Sequence, residues 1–192
     1  MPGQKEKIIN IPNALSAYRL LALPFLIYSI ATSDKHLFII LISINLITDI
    51  LDGLIARVFN LQTEFGARLD SIADMGTFIM ALAGFIFLEK EFVHEHSFAF
   101  IFLMACYFAP YIISLIKFKR IQSLHLYSYK ITGYVQGIFI FTFFNFGYAA
   151  WYFYFMMIMS FIAYIEETLA LFVMKELRSD IKSVFLLKKI NR

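Results

Sequence analysis

Long apolar segments alternate with short polar ones along nearly the whole chain. Most of the apolar segments reach the roughly 20 residues that a helix needs to cross the hydrocarbon core of a bilayer. The pattern predicts helices at about residues 14–31, 37–59, 64–88, 98–116 and 131–146, and a last helix from after Gly147 to about residue 174. We therefore expect an all-α, polytopic integral membrane protein with six transmembrane helices.

The predicted bundle leaves a short segment at each end. Residues 1–12 form an N-terminal amphipathic lead-in that suits the membrane surface, residues 13–175 the six-helix bundle, and residues 176–192 a basic tail. The first apolar run has the length of a signal peptide. Because Arg19 interrupts it and no small-residue cleavage site follows, we expect it to be retained as a helix of a single membrane domain.

Composition supports the membrane class and narrows the choice of partners. Hydrophobic residues make up 60% of the chain and charged residues 16%. The net charge of +3 is too small to indicate a nucleic-acid partner. Cys106 is the single cysteine, which excludes a disulfide within the chain and argues against a cysteine-based metal site.

The basic residues predict the orientation in the membrane. Only Lys35 and Lys90 lie on one side of the predicted bundle, whereas the other side carries both basic ends of the chain and the cluster after the fourth helix. By the positive-inside rule, both termini and the turn after the second helix face the cytoplasm from an inner or plasma membrane. The basic tail also suits anionic lipid head groups.

Four aspartates between residues 49 and 74 interrupt this apolar background, where an ionisable group is expensive and is usually functional. They fall on two stripes whose members are three or four residues apart and so share a helix face. The first stripe is Asp49, Asp52 and Ala56, beside Gly53, and the second is Gly66, Asp70 and Asp74.

A polar stretch at residues 60–63 separates the two stripes and predicts a turn, with Thr63 as the N-cap of the helix that follows. The two helices would form an antiparallel hairpin. In that hairpin Asp52 would lie near Asp70, and Asp49 near Asp74. We therefore expect one pocket to hold all four acids.

Four neighbouring carboxylates cannot all stay ionised in a medium of low dielectric constant without a compensating cation. Hard oxygen ligands suit Mg²⁺ or Mn²⁺, and Mg²⁺ leaves coordination positions for substrate phosphate. The small residues of the stripes would let a ligand approach the backbone, and Arg57 could bind a phosphate or a base edge. The pattern favours a site for a phosphorylated substrate.

Written out, the segment reads D-x2-D-G-x2-A-R-x8-G-x3-D-x3-D from residue 49 to residue 74. It resembles the signature of the CDP-alcohol phosphotransferase family, also called CDP-alcohol phosphatidyltransferases, and every fixed position is met. The signature covers 26 of the 192 residues. The resemblance implies displacement at the β-phosphorus of a CDP-linked lipid, such as CDP-diacylglycerol, by an acceptor hydroxyl, with CMP as the leaving group. Homodimers are common in this family.

The resemblance also implies residue roles. Asp74 would be both a metal ligand and the general base, and two ions, Mg²⁺ or Mn²⁺, are expected. The implied metal ligands are Asp49, Asp52, Asp70 and Asp74. The implied CDP-binding residues are Asp49, Asp52, Gly53, Ala56, Arg57, Gly66 and Asp70.

The acceptor is less well specified. The stretch at residues 11–19, followed by Pro24, resembles the first helix of phosphatidylglycerophosphate synthases, which favours glycerol 3-phosphate. Ser71 and Met75 depart from the D-P-x-A-D-K version of the motif and are closer to members that use serine or inositol. We expect glycerol 3-phosphate, with serine, inositol and inositol phosphate as alternatives. The candidate acceptor-binding residues are Arg19, Arg120 and Lys130.

Two other functions remain open. An ion- or proton-coupled transporter would also carry intramembrane acids. It does not require the small residues at fixed intervals, and the chain has no obvious inverted repeat. A protein that binds a CDP-linked lipid without turnover is the third hypothesis, and the presence of all four acids argues against it.

Overall fold

The computed structural model describes residues 9–119 and 126–174, and it is all-helical over these residues. The chain divides into two compact units, with the boundary after His94, near the end of α4. The seven helices are α1 (Ile11–Ala31), α2 (Lys35–Val58), α3 (Glu64–Leu88), α4 (Lys90–Glu95), α5 (Ser97–Phe118), α6 (Tyr127–Phe146) and α7 (Ala150–Val173).

Helix α1 begins three residues earlier than the apolar pattern predicts, inside the expected lead-in. Asn10 is the N-cap, and its side chain accepts a hydrogen bond of 2.9 Å from the backbone N–H of Asn13. Pro12 lies in the first turn, where its missing N–H leaves no helical bond unmade. The helix continues through Pro24, as expected for a membrane helix. The remainder of the lead-in, residues 1–8, lies outside the described residues.

The predicted α2–α3 hairpin is confirmed. Thr63 caps α3, because its hydroxyl accepts the N–H of Gly66 at 2.9 Å, and the helix has the predicted bounds. At the opposite end of the hairpin, Lys35 Nζ lies 2.5 Å from Glu89 Oε1. These contacts close the two ends of the hairpin and fix which residues of α2 and α3 face each other.

Helix α1 packs against both helices of the hairpin, and small residues permit the close approach. A Cβ added at Gly76 would overlap the side chain of Leu23 of α1. A Cβ added at Gly84 would overlap the ring of Phe38, which is fully buried in α2. The three helices therefore pack at distances that larger side chains would not allow.

The first unit buries polar residues beside apolar ones and exposes many large apolar side chains. Its buried polar positions include Arg19, Asn45 and Asp52, whereas Leu21 and Phe25 are well exposed. This distribution differs from that in a water-soluble bundle and suits a lipid-facing surface.

The second unit packs α7 against α5 and α6. Gly147, at a φ of 91°, ends α6 and allows the sharp change of direction into α7, so the predicted boundary between the last two helices is confirmed. Helix α6 starts at Tyr127 rather than at residue 131. Lys117 of α5 donates to three backbone carbonyl oxygens near the end of α7, at 2.8–2.9 Å.

Five of the described helices are long and apolar enough to cross a membrane, namely α1, α2, α3, α5 and α7. Helix α6 is not in this set, although it has 20 residues. It carries polar residues on several faces, among them Lys130, Gln136 and Asn145.

Candidate active site

A single arginine joins all four aspartates of the motif. Arg19 of α1 is fully buried, and its two terminal nitrogens contact four carboxylates. Nη1 lies 2.6 Å from Asp49 Oδ1 and also contacts Asp74 Oδ1, and Nη2 lies 2.5 Å from both Asp52 Oδ2 and Asp70 Oδ1. The expectation that one pocket holds all four acids is confirmed.

The contacts also show how the helices bring the acids together. Each terminal nitrogen of Arg19 bridges one carboxylate of α2 and one of α3. Asp49 therefore lies level with Asp74, and Asp52 with Asp70, as the count outward from the turn predicts. The geometry follows from the spacing of three and four residues within each helix and from the hairpin turn.

The four carboxylates differ in exposure. The side chain of Asp52 is 5% exposed, and Ser16 of α1 donates to its Oδ2 at 3.0 Å. The side chains of Asp49, Asp70 and Asp74 are 38%, 41% and 49% exposed. Asp52 is thus the buried member of the cluster, and the other three present oxygen to the surroundings.

The three exposed carboxylates can each offer one oxygen such that these oxygens lie within 4.8 Å of one another. Carboxylate oxygens at such separations can converge on one hard divalent cation with little movement of the side chains. The donor set, all oxygen, fits Mg²⁺ or Mn²⁺ and does not favour softer metals.

The small residues of the motif have different surroundings. A Cβ added at Gly66 would overlap Asn13 Oδ1 and lie 2.8 Å from Thr63 Oγ1, so close packing of α1 requires glycine there. A Cβ added at Gly53 would only reach 3.5 Å from Arg57 Nη2, an ordinary contact. Packing among the described residues therefore does not demand a glycine at position 53, and the role of Gly53 in ligand approach stays a prediction.

Arg57 is exposed at the end of α2, and its Nε donates to the carbonyl oxygen of Gly53 at 2.8 Å. Ala56 is half-buried beside it. Arg57 makes no ion pair with an aspartate of the cluster or with any other described residue. Arg57 therefore presents its charge at the rim of the hairpin.

Sequence reasoning missed a polar pair one turn beyond the acids. Asn45 of α2 is fully buried, and its Nδ2 donates to Thr77 Oγ1 of α3 at 3.3 Å. Asn45 precedes Asp49 by four residues and Thr77 follows Asp74 by three, so both lie on the faces that carry the acids. The available signal was a polar residue in register with each aspartate stripe.

Of the three predicted acceptor-binding residues, two lie within the described part of the chain. Arg19 lies within the acid cluster, as above. Lys130 is exposed in the first turn of α6, and Arg120 lies outside the described residues.

Comparison with known proteins adds independent information. The sequence profile of the CDP-alcohol phosphatidyltransferase family matches residues 9–174. A CDP-diacylglycerol–glycerol-3-phosphate 3-phosphatidyltransferase of Aquifex aeolicus is 32% identical over 83 residues, which cover 43% of this chain and 47% of that protein. The corresponding protein of Rickettsia bellii is 41% identical over 68 residues, covering 34% and 38%.

A third relative, from Drosophila melanogaster, is named a probable cardiolipin synthase (CMP-forming) and is 39% identical over 83 residues, covering 41% of this chain and 26% of that protein. The matched part of the chain thus spans less than half the length of each of these three relatives. No solved structure gives a significant match.

Proposed function

The chain belongs to the CDP-alcohol phosphatidyltransferase family, and we propose that it is a membrane enzyme that transfers a phosphatidyl group from CDP-diacylglycerol to a small alcohol and releases CMP. The observation that carries the proposal is the convergence of the four signature aspartates around one buried point. A transporter would need buried acids but has no use for the small residues and arginine at fixed spacing beside them.

A divalent metal fits the donor set of the cluster. Asp49, Asp70 and Asp74 would hold the exposed side of the site, and Asp52 the buried side. Two ions, Mg²⁺ or Mn²⁺, would neutralise the diphosphate and stabilise the departing CMP. The residues of the chain would then position the two substrates. Positioning and charge neutralisation supply most of the catalysis of phosphoryl transfer.

In the proposed reaction, the acceptor hydroxyl oxygen attacks the β-phosphorus of CDP-diacylglycerol, and the bond from that phosphorus to the CMP oxygen breaks. Asp74 takes the proton of the hydroxyl group. Its side chain is the most exposed of the four acids, which supports access to a second substrate. Gly53, Ala56, Arg57 and Gly66 would line the cytidine diphosphate pocket together with Asp49, Asp52 and Asp70.

We propose glycerol 3-phosphate as the acceptor, which would give phosphatidylglycerophosphate. Two relatives named for this acceptor support the choice, together with the residues of α1. Serine, inositol and inositol phosphate remain the alternatives. Arg120 and Lys130 are proposed to hold the acceptor's phosphate. The same role for Arg19 would require its guanidinium to leave some of the carboxylates that it contacts.

For the membrane arrangement we propose six spans, with α6 as the sixth helix beside the five that are apolar enough on their own. Neutral hydrogen bonds from Gln136 of α6 to Ser160 and Tyr164 of α7 support burial of this more polar helix within a bundle. Both termini and the mouth of the site would face the cytoplasm of the cell membrane, the lead-in and the basic tail would contact lipid, and the protein would form a homodimer.

The direct test is CMP release by the purified protein in detergent or lipid nanodiscs with CDP-diacylglycerol and Mg²⁺ or Mn²⁺. Glycerol 3-phosphate, serine, inositol and inositol phosphate are supplied separately. We expect CMP release and a phosphatidyl product with glycerol 3-phosphate, and none after treatment with a chelator. Release with another acceptor would correct the substrate, and no release with any acceptor and metal, in folded protein, would favour the transporter.

A further inference from the structure

Arg19 lies outside the motif, yet its guanidinium contacts all four aspartates of the motif. A guanidinium has two terminal nitrogens, and here each of them is shared between two carboxylates. Its Nε is buried without a hydrogen-bond partner among the described residues. Both terminal nitrogens of Arg19 therefore bind the acid cluster. The buried Nε–H loses its hydrogen bonds to water without a replacement, which costs free energy.

The charges around Arg19 are unbalanced. One guanidinium faces four carboxylates, so the cluster keeps a formal excess of negative charge when all are ionised. Without Arg19 the carboxylates of α2 and α3 would repel each other across the hairpin, and the repulsion is strong where water is excluded. Arg19 thus holds the two stripes together.

The carboxylates that bind Arg19 include those that could serve as ligands of a divalent cation, Asp49, Asp70 and Asp74. A cation from solvent reaches the three exposed carboxylates first, and each of these already has an oxygen committed to a terminal nitrogen of Arg19. The guanidinium and the metal therefore draw on the same negative charge, and a cation that neutralises the acids weakens the hold of the cluster on Arg19.

We propose that Arg19 is the internal counter-ion of the acid cluster, which keeps the four aspartates assembled in the metal-free protein and competes with the divalent cation for them. This inference rests on the proposed metal-dependent function. It assigns to Arg19 a positioning role that differs from binding the acceptor. It also predicts that removal of Arg19 strengthens metal binding while it weakens the metal-free fold.

The test uses Mn²⁺ binding to the purified full chain without nucleotide, measured by titration calorimetry or by the loss of the free Mn²⁺ signal in electron paramagnetic resonance. Arg19→Gln should bind Mn²⁺ at least about tenfold more tightly than the wild-type protein, because a competing positive charge is gone. In chelator the same variant should unfold at a lower temperature, and Mn²⁺ should raise its Tm by more than it raises that of the wild type.

Arg19→Lys gives a second, milder variant. Lysine keeps the charge but offers one nitrogen in place of two, so it cannot serve both pairs of carboxylates. Its Mn²⁺ affinity should lie between those of the other two proteins, about threefold tighter than wild type. If Arg19→Gln does not fold, the comparison of Arg19→Lys with wild type carries the test.

Arg68→Gln is the matched control, because Arg68 is two residues from Asp70 but is exposed and makes no ion pair among the described residues. Its Mn²⁺ affinity should change by less than about twofold. Unchanged or weaker Mn²⁺ binding in the Arg19 variants, with normal binding in wild type, would overturn the competition alone. Absence of Mn²⁺ binding in all four proteins would overturn it together with the proposed metal-dependent function.

Discussion

The two units of this protein differ in the polar groups that they bury. The first buries an ionic cluster, in which Arg19 is fully enclosed and Asp52 is 4% exposed. The second buries aromatic rings and, apart from the carboxylate of Glu167, neutral polar groups. Its centre includes Phe139 and Phe153, with ring centroids 5.9 Å apart, and Tyr164, which is 3% exposed.

Neutral polar groups of the second unit form hydrogen bonds between α6 and α7. Gln136 Nε2 of α6 donates to Ser160 Oγ at 2.9 Å and to Tyr164 OH at 3.0 Å, both on α7. Thr132 of α6 donates to the carbonyl oxygen of Met159 at 3.2 Å. Such neutral bonds join neighbouring membrane helices and need no further explanation.

The ionic cluster of the first unit requires an explanation other than stability. Two oppositely charged groups that leave water regain little of their desolvation cost, and four acids around one base regain less. Apolar residues at these positions would make a more stable membrane helix bundle. The comparison therefore favours the first unit as the place of the proposed reaction, and the following substitutions test that proposal.

Asp74→Asn should reduce transfer by about a thousandfold, because the amide cannot take the acceptor's proton and is a poorer metal ligand. Asparagine keeps the shape of the side chain and can still accept from Arg19, so the fold should persist. CMP release and thermal unfolding are measured together. Metal-dependent binding of a cytidine nucleotide should survive in part.

Asp34→Asn is the control for this substitution. Asp34 caps α2 by accepting from the backbone N–H of Leu37 at 3.0 Å, and asparagine caps helices equally well. Turnover should remain at the wild-type level. If Asp74→Asn also turns over at that level, Asp74 is not the general base.

Gly66→Ala should lower kcat/KM by about tenfold or more and destabilise the fold by roughly 1–3 kcal/mol, a typical range for overpacking. The added methyl group would overlap Asn13 Oδ1 and press on Thr63 Oγ1. Either these side chains give up their hydrogen bonds between α1 and the start of α3, or α1 shifts and carries Arg19 with it. The measurements are steady-state kinetics of CMP release and thermal unfolding.

Gly133→Ala makes the same change in the second unit. A Cβ added at Gly133 meets nothing within 4 Å, so alanine should leave kinetics unchanged and stabilise α6 by roughly 0.5–1 kcal/mol. Equal losses of activity in the two glycine variants would remove the contrast between the units.

The sequence predicted the hairpin closely because its signals are local. The bounds of α3 follow from the Thr63 cap and an unbroken apolar pattern, and the facing of Asp49 with Asp74 follows from helical spacing and the position of the hairpin turn. The meeting of Arg19 with all four acids depends on the packing of a third helix. Nothing in the periodicity of α1 distinguishes a buried arginine from one that extends to the membrane surface.

Helix starts were predicted less well, because the apolar pattern alone does not mark the first turn of a helix. The first residue of α1 depends on the Asn10 cap and on Pro12, which a count of apolar residues overlooks. Helix α6 extends four residues before the apolar segment that predicts it, through Tyr127 and Lys130. Burial of the Asn45–Thr77 pair likewise became visible only once two helices were placed side by side.

Lys130→Ala should raise the apparent KM for a phosphorylated acceptor about fivefold and leave kcat nearly unchanged, because an exposed cation contributes uniform binding of an anion. The comparison of glycerol 3-phosphate with serine as acceptor separates a phosphate effect from a general one. Identical KM values in variant and wild type would leave Lys130 with only its part in the charge distribution across the membrane.

Lys117→Met should leave transfer unchanged and lower the stability of the second unit by about 2 kcal/mol, the usual range for hydrogen bonds to a charged donor. Lys117 Nζ donates to the carbonyl oxygens of Leu171, Phe172 and Met174 at 2.8–2.9 Å, where the end of α7 leaves them without helical partners. Thermal unfolding and CMP release are measured on the same preparation, with the exposed Lys119→Met as control. The three hydrogen bonds of this charge go to backbone, and Nζ also lies 5.1 Å from the centroid of the Phe118 ring, so its removal should affect only the end of the helix. A loss of transfer at unchanged stability would instead show that Lys117 takes part in the reaction, as Lys130 is proposed to do, and not only in the stability of the second unit.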